Sequence, residues 1–265
     1  MKASIITKFS LCMYILLWAV SLHADAFDTA VEAFQRGDYA TAMRLWYPLA
    51  EQGSCGAQNN VGLMFDRGLG VKKDRKEALK WFQMAADNGD PVAQFNMAVK
   101  FVEGSKKPED HGIAFKYLRQ SAEQGYVDSQ NNLGTLYDRG IGTARDYGEA
   151  VRWYRMAAQQ GSHLASYNLG VKYTLGQGVP QNQAEAARMF RRAAEQGNNK
   201  ARFRVAGLYE DGTSIEKDWV QAYFWFSMAA AGGTPEAAKR RDRLALNMTR
   251  DQLLEAKTLV QKRSE

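Results

Sequence analysis

The chain has 265 residues, a net charge of +6, 45% hydrophobic and 24% charged residues, 5 prolines and 2 cysteines. That balance excludes a disordered, collagen-like or disulfide-scaffolded chain, and the length allows one or two domains of roughly 100–200 residues each.

The first 26 residues read as a secretory signal peptide and not as part of the folded body. Lys2 and Lys8 precede an apolar stretch from Phe9 to Leu22, and Ala24-Asp25-Ala26 supplies a small-x-small cleavage site. The apolar run is shorter than the roughly 20 residues that span a bilayer. Cys12 follows Phe9-Ser10-Leu11, without the small residues that precede a lipid-modified cysteine. Cleavage after Ala26 leaves Cys55 alone, so no internal disulfide is expected. No later segment is apolar enough to cross a membrane, and the mature protein is expected to be periplasmic or secreted.

From residue 27 onward the chain repeats itself every 36 residues. Ala57, Ala93, Ser129, Ala165 and Ala201 form one column of small residues. Phe65, Phe101, Tyr137, Tyr173 and Tyr209 form an aromatic column, and Ala78, Ala114, Ala150, Ala186 and Ala222 a third. Glycine fills two more, Gly68 to Gly212 and Gly89 to Gly233. Each unit reads as two helices. Ala57, Val61, Gly62 and Phe65 fall on one helical stripe, and Gly68 ends it as a residue free to adopt positive φ. Asp74, with Asp110, Asp146, Asn182 and Asp218 in the same column, is placed to cap a second helix carrying Ala78, Trp81, Phe82, Ala85 and Ala86. One such pair cannot bury both faces alone, so units must stack.

The expected organisation is a capping helix pair at 27–56 and repeats at 57–92, 93–128, 129–164, 165–200 and 201–236. Capping helices follow at 237–265, where Thr249-x-x-Gln252 opens a final amphipathic helix. The fold class is all-α, a right-handed α/α superhelical solenoid.

Three stretches, Ala57-Gln-Asn-Asn-Val-Gly-Leu-Met-Phe65, Gly68-x-Gly70-Val71-x-x-Asp74 and Ala78-x-x-Trp81-Phe82-x-x-Ala85-Ala86-x-x-Gly89, resemble the Sel-one-like repeat, a relative of the tetratricopeptide repeat with a longer loop. The unit at 93–128 departs most, with Ala98 for the glycine, Tyr117 for the tryptophan and Ser105-Lys106-Lys107-Pro108 for the Gly-x-Gly-Val loop. The resemblance implies a non-catalytic scaffold or adaptor that binds a protein or peptide on its concave side, with no cofactor. Relatives also include cell-envelope and exopolysaccharide assembly or regulatory factors, and regulators of periplasmic domains of membrane proteins.

Little in the chain resembles catalytic or metal chemistry. His111 and His163 have no Cys, His or carboxylate neighbour at metal spacing, and His163 sits at a helix start expected to face solvent. The Gly-x-Gly pairs follow a helix and not a strand, which argues against a nucleotide site. Ser214-Ile-Glu-Lys217 spells Ser-x-x-Lys, but no Ser-Asp-Asn or Lys-Thr-Gly accompanies it. A β-lactamase-like hydrolase is therefore the most distant reading. Asp66 and Asp138, each followed by Arg-Gly, read as local caps on a solvated face. Residues 185–265 hold 15 Lys and Arg against 11 Asp and Glu. For an exported protein this basic end suits an acidic polysaccharide or anionic surface, and nucleic acid is not an expected partner.

The third, seventh and tenth positions of each first helix share one face and vary from unit to unit, as a groove reading one extended partner would. Candidate binding residues on that stripe are Asn59, Asp66, Phe95, Asn131, Thr135, Asp138, Tyr167 and Phe203. Asn131 and Asp138 are expected to be removable at little cost to packing. The signal-peptide reading places the mature N-terminus at Phe27, which N-terminal sequencing of the periplasmic fraction checks; a full-length chain retained in the membrane contradicts it.

Overall fold

The structure is a computed structural model that describes residues 25–104 and 107–264. The signal-peptide reading falls almost wholly on residues 1–24, and Ser105 and Lys106 of the divergent loop also lie outside the described residues. The described residues form two compact units that divide between Gln124 and Gly125. Helices account for the regular structure of the described residues, and none of them is long and apolar enough to cross a membrane.

In the first unit α1 (25–35) and α2 (Tyr39–Glu51) form the leading pair, followed by α3 (Cys55–Arg67) with α4 (Arg75–Asp87) and α5 (Pro91–Gly104) with α6 (Pro108–Glu123). Phe27 and Phe34 pack on Trp46, and that cluster runs on through Val61 and Met64 to Trp81. In the second unit the pairs are α7 (Val127–Arg139) with α8 (Tyr147–Gln159), α9 (His163–Leu175) with α10 (Gln183–Glu195), and α11 (Asn199–Asp211) with α12 (Trp219–Ala231). Then α13 (Pro235–Ala245) and α14 (Arg250–Ser264) close on α12. Within each unit the partners of a pair pack on each other, and each second helix also meets the next first helix. This is an all-α solenoid of helix pairs.

Local chemistry sets the helix ends. Asp74, Asp146, Asn182 and Asp218 accept backbone N–H bonds from the first turns of α4, α8, α10 and α12. Asp110 does not repeat this role. Pro108, with φ already suited to a helix start, opens α6 earlier and places Asp110 inside the first turn. Gly68, Gly140, Gly176 and Gly212 end the first helices with φ of 72, 68, 66 and 71°. Thr249 and Gln252 form the reciprocal capping box of α14, with bonds of 3.0 and 3.2 Å.

The helices of a pair touch where a side chain is missing. A Cβ on Gly62 would lie 2.8 Å from Phe82, one on Gly134 2.8 Å from Tyr154, and one on Gly170 2.6 Å from Phe190. In the second repeat Ala98 takes the glycine position, and the facing column holds the smaller Leu118; the fifth keeps Phe226 opposite Ala206.

Two sets of polar bonds tie successive repeats. Buried Gln58 and Gln94 donate to the carbonyls of Ala50 and Ala86, at 3.1 and 3.3 Å, adding a side-chain donor to helix-end carbonyls that also accept the N–H of Gly53 and Gly89. Arg202 does the same for Ala194 at 3.3 Å. The second set is ionic: Lys100 pairs with Asp66 at 2.8 Å, Lys172 pairs with Asp138, and Arg240 pairs with Glu210. The acid sits in the first, third and fifth repeats and the base on the next first helix, while Val102 and Thr174 hold the acid column in between. Lys172 is only 4% exposed and also donates to Gln177 at 2.8 Å.

Asymmetric exposure of that pair yields a prediction. Asp138→Ala strands a buried ammonium and should cost about 3 kcal/mol, whereas Lys172→Met leaves a carboxylate that water reaches and should cost about 1 kcal/mol. Denaturant unfolding of both variants checks the order; equal costs contradict it. Gly170→Ala, which drives a methyl against the Phe190 ring, should destabilise by roughly 1–3 kcal/mol, and an unchanged midpoint would refute the close approach.

Candidate functional site

None of the eight candidate residues is exposed, and four of them, Asn59, Asp66, Asn131 and Asp138, sit in a seam between repeats. Asn59 and Asn131 are 8% and 6% exposed. Their amide oxygens accept from Asn96 at 2.9 Å and from Asn168 at 3.1 Å, one repeat further on. Thr135 donates its hydroxyl to the Asn131 carbonyl at 3.1 Å and lies 3.2 Å from the Tyr154 hydroxyl. Burial pushes that phenol up to about 12. Asp66 and Asp138 are the anions of the inter-repeat ion pairs.

Two expectations change as a result. Asn131 and Asp138 are structural partners of the following repeat, so their removal is not free. The two aspartates are also not local caps, because their partners lie 34 residues away on the next first helix.

The three aromatic candidates are half-buried. Tyr167 packs on Phe190 with ring centres 5.5 Å apart. Phe203 meets Phe226 edge-on at 5.6 Å and lies under the Arg240 guanidinium, also at 5.6 Å.

The stripe that reaches solvent is rotated by one residue from the expected one, with its eleventh position exposed and its fourth and seventh half-buried apart from the exposed Arg204. It runs through the fourth, seventh and eleventh positions: Asn60-Leu63-Arg67, Asn132-Thr135-Arg139, Asn168-Val171-Leu175 and Arg204-Gly207-Asp211. Arg67, Arg139, Leu175 and Asp211 are all exposed, and they differ in charge and polarity from unit to unit. Reasoning from the third position missed the eleventh. The signal was available in that column, which carries arginine, leucine and aspartate where packing columns keep one residue type.

On that face the fifth repeat departs from the others. Asn60, Asn96, Asn132 and Asn168 hold the fourth position, but Arg204 replaces asparagine in α11 and Arg240 in α13. The seventh position, elsewhere Leu63, Val99, Thr135 and Val171, is Gly207. The missing side chain leaves a recess of about 300 Å3 between α9, α11 and α13, with α10 as its floor. Val171, Phe190 and Phe203 give it apolar walls, while Arg204, Asp211 and Arg240 stand at its edge. A cavity this size is at the small end for ligand sites, roughly 300–1,000 Å3, and admits one side chain.

No cluster of His, Cys, Asp and Glu able to hold a metal occurs among the described residues. His163 is half-buried, not solvent-facing, and its ring meets the Asn198 amide at 3.3 Å. Lys217 of the Ser-x-x-Lys sequence lies over the Trp219 ring at 4.9 Å, an arrangement that engages the ammonium away from chemistry.

The Sel1 repeat family model matches five times, at residues 56–90, 91–126, 127–162, 163–198 and 199–234. No match was found among curated protein sequences. Among solved structures, the protective antigen c5321 of uropathogenic Escherichia coli, which displays an SLR fold, is 31% identical over 91% of this chain with a TM-score of 0.81. The chain spans about half of that protein, 52% of its length. A Sel1 repeat protein from Oxalobacter formigenes is 30% identical, with a TM-score of 0.77, and covers 89% of this chain and 99% of its own. The immunity protein PA5088 from Pseudomonas aeruginosa shares the fold at 23% identity and a TM-score of 0.52, over 82% of each chain. Five consecutive matches, set on helix pairs that bury the same columns in each turn of the array, show that the chain belongs to the Sel1 repeat family.

Proposed function

We propose that the protein is an exported adaptor that binds a protein or peptide partner along the face of its first helices. Sel1 repeats form a generally non-catalytic scaffold that mediates protein–protein interaction. One observation carries the finer reading: on that face the exposed eleventh position changes from Arg67 and Arg139 to Leu175 and Asp211, while the buried columns around it stay nearly constant. Packing repeats its solution in every unit, whereas a surface matching one asymmetric partner must not. A periplasmic domain of a membrane protein is a partner class consistent with export.

The basic C-terminal end gives less support to an acidic polysaccharide. Arg188, Lys239, Arg240 and Arg241 are already paired with Glu185, Glu236, Glu210 and Asp242. Their net field is correspondingly reduced.

Photo-crosslinking amino acids at 67 and 139, on the first helices, and at 152, an exposed position on α8, separate the faces. Expressed in cells, the first two should give the same protein adduct and the third none. Equal adducts from all three, or none from 67 and 139, would overturn the reading.

A further inference from the structure

The recess of the fifth repeat has a chemistry that no other part of the first-helix face shares. Its floor is apolar: Phe190 is 5% exposed, and Val171 and Phe203 close the sides. Its rim is charged, with Arg204, Arg240 and Asp211 among the lining residues. Arg204 is exposed and makes no ion pair among the described residues. Lys200 lies one turn before it on α11, also exposed and without an ion-pair partner. Arg243, on α13 in the column of Gly207, is exposed and unpaired likewise. The nearby carboxylate of Glu210 is held by Arg240, so Asp211 is the anion left at the edge. Among the residues that line the apolar hole Arg204 is the cation without an ion pair, and Lys200 and Arg243 stand about one turn beyond Arg204 and Arg240 on the same helices. At the same columns the earlier repeats carry neutral Asn168, Asn132 and Val171. The unpaired Arg204 and the cavity are therefore a joint property of this end of the array.

We propose that this recess binds an extended acidic peptide, taking one apolar side chain into the hole while the rim cations receive an adjacent Asp or Glu carboxylate. The proposal rests on the adaptor reading and names the partner's chemistry at one end of that face. An apolar side chain of Leu or Phe size fills the hole and gains by leaving water. Arg204, held near it on the same helix, meets the carboxylate as a planar donor fork. The two requirements together select a motif, and neither would do so alone. A sugar polymer fits poorly, because its hydroxyls would be buried against Val171, Phe190 and Phe203 with no acceptor to receive them. A flat lipid surface cannot enter a recess one side chain wide.

Two substitutions test the site without threatening the fold, because each installs the residue that another repeat already carries in that column. Gly207→Val fills the hole; a Cβ there meets only the Arg240 guanidinium, at 3.7 Å, an ordinary contact. Arg204→Asn restores the residue of the first four repeats. The probes are nine-residue peptides, acetylated and amidated at their ends, each with a central Leu flanked by Asp and Glu, with control versions carrying Ser for Leu or Asn and Gln for the acids. Binding is read by fluorescence anisotropy on the mature chain. The acidic Leu peptide should bind, both controls should bind about tenfold more weakly, and each protein variant should lose about the same factor.

No binding by the acidic Leu peptide overturns the proposal, as do unchanged affinities in both variants. Equal binding of the Asn/Gln control would reduce the site to an apolar hole and also overturn it. A requirement for a free C-terminal carboxylate, tested with a non-amidated version, would assign the rim to chain ends instead and contradict the side-chain assignment. Competition by alginate or by phosphatidylglycerol vesicles at the wild-type site, lost in Gly207→Val, would point to a different class of ligand and refute the peptide. Crosslinks from positions 67 and 139 persisting beside any of these failures would sink the recess alone and leave the adaptor reading in place.

Discussion

The close approach of two helices where a glycine or alanine replaces a larger residue is the constraint on which the fold depends. Gly62, Gly134 and Gly170 leave space that Phe82, Tyr154 and Phe190 occupy to within van der Waals contact. Each ring then belongs to a core of alanines and aliphatic residues that no single pair could enclose. Because the same solution is used in each turn, the small-residue and aromatic columns are nearly invariant along the chain. Fixed columns leave only the exposed edge of the helices free to differ, and that edge is where recognition can be written.

Polar groups reinforce the stacking in a pattern of longer period. The ion pairs join the first repeat to the second, the third to the fourth and the fifth to α13, while valine and threonine stand in the alternate acid positions. The asparagine bonds follow the same alternation, from Asn96 to Asn59 and from Asn168 to Asn131. The first and second repeats, and the third and fourth, thus share an amide contact and a charge contact on one helix face. Desolvation offsets much of the attraction in pairs this far from water, so breaking one by removing a single partner costs more than the pair adds.

The repeat period, the helix pairs and most caps were legible in the sequence because packing repeats and any column of identical small residues betrays it. The site was only partly legible. Periodicity placed the stripe at the third, seventh and tenth positions, yet a residue's exposure on a helix depends on how the next helix leans over it. That lean turns Asn131 and Asp138 toward the following repeat and exposes Arg139 instead. Asp110 was misplaced for a local reason, the proline two residues before it. Gly207 breaks its column of Leu63, Val99, Thr135 and Val171, and periodicity alone gives no reason. Its meaning emerged only when Val171, Phe190 and Phe203 were seen to surround the space it leaves.

The central claim is a division of labour between buried columns and an exposed face, and a saturation scan of α3, α7, α9 and α11 tests it most directly. Each variant would be read in parallel for soluble abundance and for yield of the partner crosslink. Substitutions at the small-residue, glycine and aromatic columns should lower abundance and crosslink together. Substitutions at the exposed Arg67, Arg139, Leu175, Arg204 and Asp211 should lower the crosslink while abundance holds. Crosslink yield that merely tracks abundance at every position would contradict the account, since it would mean that the varied face carries no recognition of its own.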